Sequence, residues 1–379
     1  TFFFFHFERP IIIRQLIDIN PIFRTHLITQ CDCQQIVLPC LYLMYEYRSF
    51  EAMSGLLHLC TFILLHLSGN REFGVALNKS ILYKLPVTDT LPLMTSEGNP
   101  YGTHVDLCII TFHKMIVDGM RSLQSLYNCM LTILSNISPY IKTLSLISSL
   151  KLINLYEIFS SKKFLLSNLY NNQYIFFLLD IFNNIIQYQY NGNHHLIYAM
   201  VRRKEQFDKL INLDIDEKEM DKETKTVETT TTTTTTTAAT TTATTTAAMG
   251  ENKDTETVTV QVNAPVIHSN KFVPTKEWLN SWKLKLPLNV ILNLLNYLKP
   301  KVEQLSVSLN GLINEDDIIK FINDTTMVGV LPQPHPIVVR KYQPNKYTSL
   351  WFTTFLWGVV FMRNQNMPLW DGTTIKIFS

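Results

Sequence analysis

The chain has 379 residues, a formal net charge of +2 and a sequence pI of 8.1. That length suits about two ordinary domains, and the near-balanced charge excludes the clustered basic excess of a nucleic-acid binder. Hydrophobic residues make up 46% and charged residues only 17%, below the ~25% of ordinary soluble domains, so partners or membrane are expected to cover part of the surface.

The first residue is Thr1, and the opening TFFFFHFERPIII has neither the charged leader nor the cleavage site of a signal peptide. It reads as a fragment whose upstream sequence is missing, along with any N-terminal lipidation signal. Six cysteines (Cys31, Cys33, Cys40, Cys60, Cys108 and Cys129) are sparse for a disulfide framework and read as free thiols in a reducing compartment.

Residues 1–213 read as one helix after another. Val105, Cys108, Ile109, Phe112 and Ile116 fall on one helix face. So do Leu123, Leu126, Tyr127, Met130, Leu131, Leu134 and Ile137, then Leu152, Leu155, Tyr156 and Phe159. Tyr174, Phe177, Leu178, Ile181, Phe182, Ile185 and Ile186 make the longest such stripe. Short separators at Asp118-Gly119, Ser138-Pro139, Ser160-Ser161 and Asn191-Gly192 predict antiparallel stacking. The fold class is all-α: an irregular armadillo- or HEAT-like helical solenoid with no strict repeat. One long loop, rich in Gly and Pro, is expected at 68–103.

Residues 214–271 break the pattern. A charged run leads into nine consecutive threonines, Thr229–Thr237, and then Thr/Ala alternation. Ordering ~50 such residues would cost on the order of 50–100 kcal/mol of backbone entropy, with no buried Leu or Phe to offset it, so a disordered linker is expected. In residues 272–379, Thr275 can cap a helix carrying Trp278 and Trp282. Leu288, Ile291, Leu292, Leu295 and Leu298 form another helix face, and Asn314 opens a short helix to Ile322. Four prolines force the stretch 331–345 to be extended. Trp351–Met362 reads as helix and Thr373–Phe378 as a short strand.

Three stretches approach a membrane span. Leu56–Leu67 holds His58 and His66; Tyr174–Ile186 is interrupted by Asp180, Asn183 and Asn184; Tyr347–Met362 is uncharged. A sixteen-residue helix covers about 24 Å, short of the ~30 Å hydrocarbon core. Buried helices are expected; an integral membrane protein spanning at 347–362 or 56–67 is the alternative.

No phosphate loop, dinucleotide fingerprint, H-E-x-x-H or nucleophile elbow occurs. His26, Cys31, Cys33 and Cys40 can be drawn as a zinc set, but the one-residue gap between Cys31 and Cys33 is wrong for structural zinc. His194-His195 reads as a helix start. Asp106 and His113 lie two turns apart without a third group to complete a triad. Sequons occur at Asn78, Asn136 and Asn323. No catalytic residue, metal or cofactor is therefore called for. The candidate membrane or partner contacts are Arg202, Arg203 and Lys204 at a helix end, with His335, Arg340, Lys341, Tyr342, Trp351 and Trp357 in and after the proline-rich stretch.

Several strings stand in a specific order: LSGNREFGVALN (67–78), GTHVDL (102–107), NISPYIKTLS (136–145) and FNNIIQYQYNGN (182–193), then EWLNSWKLKLPL (277–288), VGVLPQPHPIVVRKYQPN (328–345) and WFTTFLWGVVFMRN (351–364). Together they resemble the high-temperature-induced dauer-formation protein family, relatives of dymeclin. The resemblance implies a non-enzymatic helical protein on the cytoplasmic face of the Golgi and trans-Golgi network. It would be peripheral to the membrane, held by an N-terminal myristate, and active with other trafficking proteins in protein sorting, secretory-granule formation and vesicle-mediated transport. It also implies that this chain is roughly a C-terminal half, and it supplies no catalytic residues.

Overall fold

A computed structural model describes residues 8–29, 34–81, 102–215, 272–308, 315–343 and 345–363. Sixteen α-helices occur among them. The first nine are α1 (Glu8–Ile19), α2 (Pro21–Thr29), α3 (Gln34–Tyr47), α4 (Ser54–Ser68), α5 (Arg71–Ala76), α6 (His104–Asp118), α7 (Tyr127–Ile137), α8 (Leu146–Ser160) and α9 (Lys162–Leu165). The rest are α10 (Asn172–Tyr188), α11 (His194–Arg202), α12 (Lys204–Ile211), α13 (Lys276–Lys283), α14 (Asn289–Ser308), α15 (Glu315–Asp324) and α16 (Lys346–Arg363).

Their contacts define two layers. In one, α1, α4, α7, α10 and α14 each pack on the next; in the other, α3, α6, α8, α11 and α15 do the same. Pairs such as α3 with α4, α8 with α10 and α14 with α15 bridge the layers, so the architecture is an all-helical solenoid. The apolar stripes explain it, because each helix buries its stripe between two neighbours. Phe112, Leu155, Tyr156, Ile185 and Ile291 are all completely inaccessible to solvent.

Local chemistry sets the helix starts. Thr103 and Asp106 make a reciprocal capping box at α6. The side chain of Ser145 accepts from Ser148 N at α8, and that of Thr275 from Trp278 N at α13, each at 3.2 Å. At the Asn191-Gly192 turn the chain presses on its neighbour: a Cβ on Gly192 would sit 1.8 Å from the carbonyl oxygen of Lys142.

Three expectations are corrected. Residues 68–103 are not loop throughout, because α5 forms around the buried Phe73. Leu123 and Leu126 lie not on α7 but on a tighter 3-10 turn, Arg121–Leu126, that precedes it. Ile215 is 2% exposed, so the chain remains anchored past position 214. The rest of the expected linker and the expected strand at Thr373–Phe378 lie outside the described residues.

The chain resumes the same stack after residue 271. The helix α14 packs on α10 and α11, and α15 packs on α11. Asn183 Nδ2 donates to the carbonyl of Pro287 at 2.7 Å, and Lys283 Nζ to that of Leu213 at 2.5 Å. Both sides of the threonine tract thus share one core. Replacing the fully buried Ile291 with Ala is expected to lower stability by about 2–5 kcal/mol through the cavity it leaves. Deleting Thr224–Ala248 is expected to leave the melting temperature unchanged. Calorimetry checks both, and separate melting transitions for the two sides would contradict the shared core.

Candidate interaction surface

The proline-rich segment runs as an extended strap across one layer of the stack, against the chain order of its helices. It starts by α10, where the Tyr188 hydroxyl donates to the carbonyl of His335. It crosses α7 at Arg340 and reaches α4 at Tyr342, then turns into α16, which lies on α4 and α1.

At the α7 crossing, the Asn136 side chain acts as a surrogate backbone. Arg340 N donates to Asn136 Oδ1 at 2.8 Å, and Asn136 Nδ2 donates to the Arg340 carbonyl at 2.9 Å. Nδ2 also donates to Ser68 Oγ at 3.0 Å, which ties in α4. The Arg340 guanidinium Nη1 donates to Ser135 Oγ at 2.6 Å and to Asp180 Oδ2 at 2.8 Å. Ser135 in turn donates to the same Asp180 oxygen at 2.8 Å. Asn136 is 1% exposed, whereas the Arg340 side chain is 41% exposed. The amide pairing is therefore the stronger element, since an orphaned buried amide costs about 1–3 kcal/mol and a half-exposed ion pair contributes ~1 kcal/mol or less.

Beyond Arg340, Tyr342 sets its ring edge-on to His66 at 4.4 Å and to Phe62 at 5.3 Å between centroids. Asn345 then caps α16: its Oδ1 accepts from Thr348 N at 2.8 Å and from Thr348 Oγ1 at 2.9 Å. The α16 residue Phe352 is 5% exposed, lies 5.2 Å from the Phe62 ring and carries the Arg14 guanidinium at 3.7 Å. Phe355 lies on Gly55, where a Cβ would fall 2.4 Å from the ring, so any larger residue there would push the ring aside.

The structure places the remaining candidates as follows. Arg202 pairs with Glu315 at 3.0 Å, Arg203 with Glu157 at 3.0 Å, and Lys204 with Asp208 at 3.0 Å. The first of these joins α11 to α15 across the threonine tract. Lys341 is exposed beside Gly69. Trp351 stacks on Phe355 with centroids 5.2 Å apart, and Trp357 is 55% exposed.

The residues inspected for chemistry hold the fold together instead. Asp106 caps α6 and accepts from Ser145 N at 2.9 Å, while His113 meets Asn154 at 2.8 Å, so the two do not pair. The sequon residue Asn136 is consumed by the strap, and Asn78 by Tyr140 O and Lys142 N, both at 2.8 Å. Of the drawn zinc set, His26 is exposed on α2, Cys40 is fully buried on α3, and the other two lie outside the described residues. Among the described residues, no group of three or more His, Cys, Asp or Glu is placed to hold a metal. Burial raises the thiol of Cys129 to about 11 and lowers the imidazoles of His58, His113 and His194. A shallow groove of about 560 Å³ lies where Tyr190 and Asn191 face Asn323, Thr325 and Pro334, with no catalytic cluster. Among the described residues, one helical stretch, Glu51–Ser68, is long and apolar enough to cross a membrane, and 56% of it is buried among α1, α3 and α7.

Asp180, Asn183 and Asn184 interrupt an apolar helix, and all three are attachment points. They hold Arg340, Pro287 O and, at 2.9 Å, Ser138 Oγ respectively. Sequence reasoning singled out Arg340 but missed Asn136 as its partner. The two are 204 positions apart, and no local signal connects them.

A family model described as "Dymeclin: Dyggve-Melchior-Clausen syndrome protein" matches residues 4–359. Protein HID1 of Mus musculus and of Homo sapiens are each 36% identical over 99% of this chain and 53% of their own length. The Dictyostelium discoideum protein of the same name is 28% identical over 91% of this chain and 46% of its own. A Schizosaccharomyces pombe protein, the Ubp5-interacting protein ftp105, is 27% identical over 51% of this chain and 20% of its own. The chain thus spans about half the length of the fuller matches. No solved structure matches it.

Substituting Asn136 with Ala is expected to cost about 2–3 kcal/mol, against ~1 kcal/mol for Asp180→Ala; denaturant titration that reversed the order would give the strap to the ion pair. Burial holds the His66 imidazole down to about 4, against the pull of Asp18 at 3.5 Å. Its folded form therefore favours the neutral ring. The associated stability is complete above the ordinary histidine value near ~6.5 and is lost as pH falls toward 4, a decline on the order of 2–3 kcal/mol. His66→Gln is expected to flatten that part of the pH–stability curve.

Proposed function

The chain belongs to the dymeclin family, and from that premise we propose that it is a non-enzymatic scaffold acting at the Golgi and trans-Golgi network membrane. It would serve protein sorting, secretory-granule formation and vesicle-mediated transport, peripheral to the membrane and together with other trafficking proteins. The observation that carries the reading is how the buried polar groups are used. Asn136, Asp106, Asn184 and Ser135 all bind helix ends, the strap or neighbouring helices, and none converges on a place where a substrate could react. A layered helical stack with an extended strap is a surface for binding, and the fission yeast relative carries an interaction in its printed name.

The integral-membrane alternative is less well supported. The helix α4, which contains Leu56–Leu67, is packed on three neighbours, and α16 has one face committed to protein. Two measurements test the proposal. Full-length tagged protein is expected to overlap Golgi markers and to leave membranes on carbonate extraction. A uniform nuclear or extracellular signal would overturn the trafficking role. Retention in the carbonate pellet would favour a span.

A further inference from the structure

The shallow groove beside the start of the strap is left electrostatically unbalanced by the fold. Two helices end at it. Ile186 and Gln187 stand in the last turn of α10, and Asn323 and Asp324 close α15. A helix C-terminus carries roughly half a negative charge, and neither of these helices has a basic residue in its last turn. Asp324 adds a full carboxylate at the end where a cation is favoured. It is exposed and makes no ion pair among the described residues, not even with Lys320 one turn before it. No Lys, Arg or His is among the described residues that line the groove.

The uncharged lining suits a polypeptide better than a free ion. Ile186, Met327 and Leu331 supply apolar surface, joined by Pro332 and Pro334 of the strap. Asn191 and Asn323 are exposed carboxamides, each offering a donor and an acceptor. Gln187 Oε1 is buried without a hydrogen-bond partner, a need that an incoming N–H meets once the side chain turns into the groove. The protein contains its own example of what such a set holds. In the strap, an extended backbone is gripped by the Asn136 carboxamide while the Arg340 side chain reaches Asp180. The groove repeats that combination of carboxamides and a carboxylate, and its volume of about 560 Å³ falls within the ~300–1,000 Å³ of typical ligand sites.

We propose that this groove binds an extended segment of a partner protein that carries an arginine or lysine. The cation lies against Asp324 and the two helix C-termini, and Asn191 and Asn323 pair with the segment's backbone. Apolar side chains flanking the cation rest on Met327 and Leu331. This rests on the scaffold reading above and gives the scaffold a docking site for one chemical class of partner.

The test is an array of capped heptapeptides with random flanking positions and arginine, lysine, citrulline or glutamate fixed at the centre, probed with the 379-residue chain. Arginine and lysine peptides are expected to retain at least about tenfold more protein than those with glutamate or with citrulline, the neutral isostere of arginine. Asp324→Asn is expected to remove that preference. Asn323→Lys, which places a cation in the groove and in the last turn of α15, is expected to abolish binding. Both positions are exposed, so both variants are expected to keep the melting temperature of the wild type. Retention indifferent to the central charge would overturn the inference, as would unchanged binding by either variant. So would displacement of the peptides by an equal concentration of spermidine, which would give the groove to a free polyamine. Self-association that Asn323→Lys abolishes would give it to a second copy, with the same consequence. Golgi localisation of full-length protein that persists while the array shows no charge preference would remove this inference and leave the broader reading standing; loss of that localisation with charge-selective binding intact would do the reverse.

Discussion

A chain segment with prolines at 332, 334, 336 and 344 cannot form a helix and has lost backbone donors. Its remaining polar backbone groups need partners from elsewhere. In this protein the first helical layer supplies them. The Asn136 amide offers one acceptor and two donors, and all three positions are used, two on Arg340 and one on Ser68. Where the strap ends and α16 begins depends on that anchor. Tyr342 then falls on His66, and Phe352 on Phe62 and Arg14. Four helices of one layer, α10, α7, α4 and α1, are thereby joined by a single returning segment.

The repeating helix pairs were legible because burial between two neighbours imposes a 3.6-residue period on the apolar side chains, and that period survives without any repeat in sequence. Helix starts were partly legible too, Thr275 being a side-chain cap that composition alone reveals. Where the period continued through a different conformation, as at Leu123 and Leu126, a tight turn was indistinguishable from a helix. Phe73 was lost among glycines, which made 68–103 read as loop. The strap was legible as extended chain, but its docking site was not. Asn136 reads locally as a sequon, and Asp180, Asn183 and Asn184 as flaws in an apolar helix. Their meaning lies in residues 46 to 204 positions away. Two of the strings that carry the family resemblance, those containing Asn136 and Arg340, prove to be in contact.

The titratable groups point the same way. The imidazoles and phenols with shifted values are moved chiefly by desolvation, His66 downward and Tyr156 upward, as is the Cys108 thiol, while the Cys40 thiol is raised first by its hydrogen bond with Cys60 and then by burial. Such shifts keep side chains neutral in a packed interior. They are not the opposed pairs of acid and base that a reaction centre needs. The threonine tract is the most conspicuous break in composition, yet the layers continue across it. Arg202 on one side meets Glu315 on the other, which makes the tract an insertion within one unit rather than a boundary between two.

The strap also constrains how the protein comes into being. A simple stack of helix pairs can assemble progressively, each pair resting on the last, because its contacts are short-range in sequence. Here the segment that crosses α7, α4 and α1 is made long after those helices, and its ring-closing contacts span 204 and 205 positions. On the ribosome the first layer emerges with Phe62, His66 and Asn136 still uncovered, and stays so through translation of the whole threonine tract. Nascent chains would therefore show a long-lived, sticky intermediate that depends on chaperones. A premature stop codon before residue 340 would leave that intermediate as the final product.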